Sequence, residues 1–123
     1  MKLLLAIGAG SFIGGVLRYL LSNLIHTKSL THFPVGTLTV NIIGCFIIGV
    51  IFGFTEKANL NQEWRLFLAT GIVGGFTTFS AFSIETIAML RDGQFWGGAA
   101  YVMASVVLGL FATLIGVLLI KIF

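Results

Sequence analysis

The groups in this chain that could do chemistry are mostly uncharged and lie inside apolar sequence. They are the amide of Asn41 and the hydroxyls of Thr77, Thr78, Ser80, Ser83, Tyr101, Ser105 and Thr113, with the rings of Phe79 and Phe82 among them. An aromatic ring has a negative face and a positive edge, so phenyl edges can line a path for an anion. Amide and hydroxyl donors can replace the water around a small anion. A full positive charge would hold it too firmly, and conduction requires binding weak enough to leave. Carbonyls freed from a loosened helix are acceptors and could hold a cation. The set supports a small-anion pathway, beside which the freed carbonyls could hold a structural cation, and leaves the anion unspecified.

Catalytic chemistry has no comparable support. The chain has no paired carboxylates, no Cys/His ligand cluster and no phosphate loop. An enzyme is not expected.

The polar groups are densest in Gly71–Glu85, which reads GIVGGFTTFSAFSIE. A membrane anchor needs none of its glycines, hydroxyls or carboxylate. Glycine costs about 1 kcal/mol against alanine in a helix interior, so Gly74-Gly75 is expected to loosen the helix there. Backbone that leaves the helical ladder inside a membrane survives only where protein or a polar cavity satisfies it. The stretch therefore reads as an interrupted helix lining a site.

Composition supplies the setting. Of 123 residues, 58% are hydrophobic and 9% charged, and the mean hydropathy is +1.09. Soluble domains carry roughly a quarter charged residues. Four apolar runs, at 3–25, 34–54, 64–89 and 95–120, are each long enough to span a bilayer. The expectation is one all-α membrane domain over 1–123, with four transmembrane helices and a broken third. The N-terminal run reads as a span, not a cleaved leader, because no convincing cleavage site follows it. The net charge of +3 comes from scattered basic residues, which argues against a nucleic-acid partner. Lys2, Lys57, Arg65 and Lys121 fall on one side of the membrane, and Arg18, Lys28 and Arg91 nearer the other. Orientation follows Lys/Arg bias, and four against three is a weak bias. A bias this small leaves dual insertion open; chains inserted both ways could pair as an antiparallel dimer, and one added basic residue should tilt the balance.

Other residues have ordinary readings. Gly10 with Gly14, and Gly49 with Gly53, form small-xxx-small pairs that let helices pack closely in lipid. Gly8-Ala9-Gly10 is no dinucleotide fingerprint, since the next glycine is Gly14 and no strand precedes it. Cys45 reads as a small packing residue, and His26 and His32 as interfacial polar residues. Pro34 suits a helix start. Arg18 either snorkels to the interface or sets positive potential at an anion vestibule. Asn41 either bonds a neighbouring helix or presents both N–H donors to a ligand. Glu85, the acidic residue well inside an apolar segment, is a functional candidate, or sits at the interface near Arg91. Tyr101, Ser105, Gly109 and Thr113 recur every four residues and share a helix face, as interhelical glue or as the wall of a polar path.

The string Gly74-Gly75-Phe76-Thr77-Thr78-Phe79-Ser80-Ala81-Phe82-Ser83, with Glu85 after it, resembles the signature of the Fluc/CrcB fluoride channels. Gly36-Thr37-Leu38 followed by Asn41 resembles that family's second-span motif, and Leu17-Arg18-Tyr19 its first-span motif. The resemblance covers the whole chain. It implies an antiparallel, dual-topology homodimer in the bacterial inner membrane, with passive export of cytoplasmic fluoride. Phe79, Phe82 and Asn41 match pore positions of the family. Gly74 and Thr77 match positions whose backbone carbonyls hold a structural sodium ion on the dimer axis. Tyr101, Ser105 and Thr113 match a polar track, and Arg18 and Glu85 a vestibule arginine and a pore-mouth glutamate. Gly109 departs from the pattern where serine is typical, and Ala81 where threonine is common.

Two other readings compete. A small-multidrug-type proton-coupled exporter also has four short spans, but it requires a first-span carboxylate, and this first span has none. A non-transporting assembly subunit explains the glycines, but not Asn41 or the phenylalanines.

Overall fold

In lipid a chain must satisfy its own backbone, and a long apolar run does so most simply as helix. The computed structural model describes residues 1–30 and 32–123; Thr31, in the predicted first loop, lies outside them. The described residues are helical and contain no strand. Helix α1 covers Lys2–Lys28 and α2 covers Val35–Ala58. The third apolar stretch, Gln62–Arg91, is composite. It opens with α3 (Gln62–Arg65), widens into a π-helical segment over Leu66–Val73, and continues as α4 (Gly74–Phe76) and α5 (Phe79–Arg91). Helix α6 spans Phe95–Ile122. Among the described residues, four stretches are long and apolar enough to cross a membrane.

The connections follow local chemistry. Pro34 stands at the N-cap of α2, one position before the first helical residue. Helix α2 runs on through Thr55–Ala58, beyond the expected 34–54 span, and ends at Asn59 in the left-handed region (φ 52°). Asparagine tolerates that conformation. The side chain of Asn61 then accepts the Trp64 N–H at 2.9 Å, capping α3. Gly93, at φ 81°, makes the turn between α5 and α6.

Helices pair according to where they lack side chains. α1 runs along the third stretch and α2 along α6, each pair in the same direction. A β-carbon on Gly10 would stand 2.9 Å from the Gly71 Cα, and one on Gly14 would meet the Ile72 backbone. On the other pair, Gly49 faces the Thr113 backbone, Gly116 faces Phe46 and Val50, and a β-carbon on Gly53 would lie 2.9 Å from Ile120. Lipid tails are as apolar as leucine, so close packing of this kind holds the helices together. Large apolar side chains such as Leu4, Phe12, Leu110 and Phe111 point outward, as lipid contact requires.

Candidate functional site

The site is built on Thr77 and Thr78. Thr77 (φ −90°, ψ 158°) and Thr78 (φ −149°, ψ 118°) are extended, between α4 and α5. This departs from the expected position at Gly74-Gly75, since both glycines are helical, Gly74 at φ −60° and ψ −39°. Gly75 is small for another reason: a β-carbon there would lie 2.6 Å from the Ser11 carbonyl oxygen on α1. β-Branched threonine favours extended backbone, and both hydroxyls close helix ends. Thr77 Oγ1 donates to the Val73 carbonyl at 3.0 Å. Thr78 Oγ1 accepts the Ala81 N–H at 3.1 Å as the N-cap of α5.

Two distant side chains hold this backbone. Asn41 Nδ2 donates to the Thr78 carbonyl at 3.0 Å, and Asn41 Oδ1 accepts the Thr78 N–H at 2.8 Å. Asn41 thus pairs with both backbone polar groups of Thr78, leaving one amide hydrogen rather than two for a ligand. Arg18 Nε donates to the Gly75 carbonyl at 3.2 Å. Its head is turned onto α4, ten residues before the last residue of α1.

Asn41, Cys45, Thr77, Thr78, Phe79, Phe82 and Ser105 line one cavity of about 470 Å³. Ser105 Oγ is buried without a hydrogen-bond partner among the described residues. Such a hydroxyl is costly unless something else satisfies it. Phe79, 78% exposed, projects from the molecule at the cavity edge.

A chain of rings leads away from the cavity. Phe79 and Phe82 lie 5.5 Å apart, Phe82 and Tyr101 5.0 Å, and Tyr101 and Phe33 5.5 Å. The fully buried Tyr101 directs its hydroxyl at Glu85 Oε1, 3.5 Å away, and Thr37 Oγ1 donates to Glu85 Oε2 at 3.1 Å. Thr37 is the third residue of α2, so the carboxyl group lies by a helix N-terminus, where the backbone dipole favours negative charge. Glu85 therefore belongs to a cluster with α2 and α6, not beside Arg91.

The remaining predicted residues are dispersed. Ser80 is exposed, 3.3 Å from the Thr78 hydroxyl, and Ser83 is half-buried on α5 outside the cavity lining. Thr113 donates to the Cys45 carbonyl at 3.0 Å, which joins α6 to α2. Gly109 is buried, and a β-carbon there would lie 3.3 Å from Cys45 Sγ. The thiol takes up room beside the position where the hydroxyl series is interrupted. Thr37 and Phe33 were absent from the predicted site. The spacing held a signal, since Phe33, Thr37, Asn41 and Cys45 recur every four residues, as Tyr101, Ser105, Gly109 and Thr113 do.

Comparison with known proteins adds an independent finding. The family model for CrcB-like protein, Camphor Resistance (CrcB), matches residues 5–117. The fluoride-specific ion channel FluC of Granulibacter bethesdensis is 47% identical over 120 residues, 97% of this chain and 93% of the relative. FluC of Phocaeicola vulgatus is 44% identical over 117 residues, 95% of this chain and 97% of the relative. FluC of Aquifex aeolicus is 41% identical over 120 residues, 97% of each chain.

Proposed function

The chain belongs to the CrcB family, and on that premise we propose that it is a channel carrying fluoride out of the cytoplasm by passive electrodiffusion. It is a multi-pass membrane protein of a channel family, not an enzyme. The observation that carries the proposal is the cavity in which Asn41, Phe79, Phe82 and Ser105 converge, with the Ser105 hydroxyl buried and unpartnered among the described residues. A small anion accepts hydrogen bonds from that hydroxyl and from the free Asn41 hydrogen, while ring edges contact it without a formal charge.

The path continues from the cavity along Phe82 and Tyr101 to the Thr37–Glu85 cluster, with Ser80, Ser83 and Thr113 contributing where the pathway meets them. Arg18 adds positive potential from within the membrane. The extended Thr77-Thr78 backbone supports reading the third stretch as a broken helix. The working unit is an antiparallel homodimer of chains inserted both ways in a bacterial inner membrane. Fluoride is the base of a weak acid, so hydrogen fluoride enters an acidified cell, dissociates and leaves the anion trapped until a channel releases it.

The Gly74 and Thr77 carbonyls fit a structural sodium ion. In a continuing helix they would accept from the Thr78 and Ala81 N–H groups, but those go to Asn41 Oδ1 and Thr78 Oγ1. Uncharged carbonyl oxygens replace the hydration shell of an alkali cation. Bound there, sodium would supply positive charge between the subunits.

The test is fluoride-electrode efflux from liposomes holding the purified protein, with chloride-loaded vesicles as control and valinomycin-mediated potassium flux balancing charge. Rapid fluoride loss with little chloride loss is expected. No fluoride movement from well-folded dimers would overturn the channel reading.

A further inference from the structure

The hydrogen bonds around Thr78 connect the anion side of the site to the cation side. In an α-helix each N–H goes to the carbonyl four residues back. For Thr78 that carbonyl is Gly74, and for Ala81 it is Thr77. Both N–H groups have been taken by side-chain oxygens, of Asn41 at 2.8 Å and of Thr78 at 3.1 Å. The flanking carbonyls of the same turn are occupied: Val73 accepts from the Thr77 N–H and hydroxyl, and Gly75 accepts from Arg18. The pattern spares the two carbonyls that would face a cation and engages the neighbours that would compete with them.

From this we infer that Asn41 is a positioning residue for the cation site: by capturing the Thr78 N–H, its Oδ1 keeps the Gly74 carbonyl free to bind sodium. Its Nδ2 holds the Thr78 carbonyl and fixes the start of α5, where Phe79 follows directly. One amide therefore serves the anion path with its remaining hydrogen and the cation site with its oxygen. This role rests on reading the Gly74 and Thr77 carbonyls as sodium ligands.

Threonine follows threonine in this chain only at Thr77-Thr78. Protein labelled at the threonine carbonyl carbon and nitrogen therefore yields one carbonyl-to-amide NMR cross-peak, reporting the Thr77 carbonyl and the Thr78 N–H together. The full-length dimer in lipid nanodiscs would be titrated with sodium chloride, with N-methylglucamine chloride as control. In the native protein the peak moves saturably with sodium alone. In Asn41→Ala the Thr78 N–H returns to the Gly74 carbonyl, and the sodium midpoint rises roughly tenfold, the worth of one competing hydrogen bond. Asn41→Asp keeps the acceptor oxygen and loses the donor, so its Thr78 proton stays downfield and sodium still moves the peak, while fluoride flux is lost.

An Asn41→Ala dimer with the native sodium midpoint would overturn the positioning role and leave the cation site standing. A native peak indifferent to sodium would overturn the cation site itself. Should the alanine variant not assemble, the aspartate variant decides: a Thr78 proton at the position of an unbonded amide counts against the role.

Discussion

The ring of Phe82 meets the buried ring of Tyr101 edge to face, with centroids 5.0 Å apart. Phe79, one turn earlier, touches Phe82 but is otherwise 78% exposed. The two phenylalanines of the proposed path therefore have different structural burdens. Phe79→Ile should slow fluoride efflux severely and, losing only the tilted contact with Phe82, destabilise the protein less than Phe82→Ile. Phe82→Ile should slow efflux as severely and also lose about 0.5–1.5 kcal/mol of ring contact. Efflux and melting curves on both variants check this, and equal loss of stability would contradict it.

The Glu85 cluster yields a ranking. Thr37 reaches the carboxyl group at 3.1 Å, whereas Tyr101 is 3.5 Å away, at the limit of a hydrogen bond. Thr37→Val is expected to cost on the order of 1 kcal/mol or more. Tyr101→Phe, which preserves both ring contacts, should cost less. Denaturation in detergent with a graded denaturant would order the two, and the reverse order would show that the tyrosine hydroxyl is the principal partner.

Gly109 and Cys45 should be coupled. Gly109→Ser would restore the hydroxyl spacing of α6, but its β-carbon would crowd Cys45 Sγ at 3.3 Å. Alone it is expected to destabilise by about 1 kcal/mol, the low end for overpacking. Combined with Cys45→Ala it should recover most of that loss. A double-mutant cycle measures the coupling, and additive effects would mean the thiol moves aside freely.

Glycines that look alike in sequence should differ in tolerance. An added methyl at Gly49 would meet the Thr113 backbone, while one at Gly8 would meet no other described part of the protein within 4 Å beyond its own helix turn. Gly49→Ala should destabilise by about 1–3 kcal/mol, and Gly8→Ala should be neutral or slightly stabilising. Melting temperatures of the two variants make the comparison.

Insertion should respond to a single charge. Gln62 is exposed, at the start of α3, on the same side as Lys57 and Arg65. Gln62→Lys strengthens the basic bias there, so most chains should insert with that side in the cytoplasm. Antiparallel pairs would become scarce and fluoride efflux would fall with them. Labelling of a single introduced cysteine from either side of the membrane reads out the orientation, and an unchanged ratio would count against charge-balanced dual insertion.

What the sequence by itself determined follows from forces that act on composition and spacing. Four apolar stretches declare themselves because bilayer thickness and backbone self-satisfaction constrain any chain of this hydropathy. The small-xxx-small pairs at Gly10/Gly14 and Gly49/Gly53 declared the packing faces for the same local reason. Asn41, Phe79, Phe82 and Ser105 stood out because polar or regularly spaced aromatic groups in such a setting call for a partner, and the fold gathers those four at one cavity.

The tertiary structure decided how each polar group is used, because hydrogen-bond partners here come from distant parts of the chain. The extended residues are Thr77 and Thr78, not the more permissive Gly74 and Gly75, since Asn41 holds Thr78 from 37 residues away and Arg18 holds Gly75 from 57. Thr113 joins α6 to α2 because the Cys45 carbonyl lies within reach, while the Ser105 hydroxyl, two turns earlier on α6, meets no hydrogen-bond partner among the described residues. Thr37 entered the site only when α2 brought it against Glu85, 48 residues on. Propensity and periodicity act over a few residues, and none of these pairings is local.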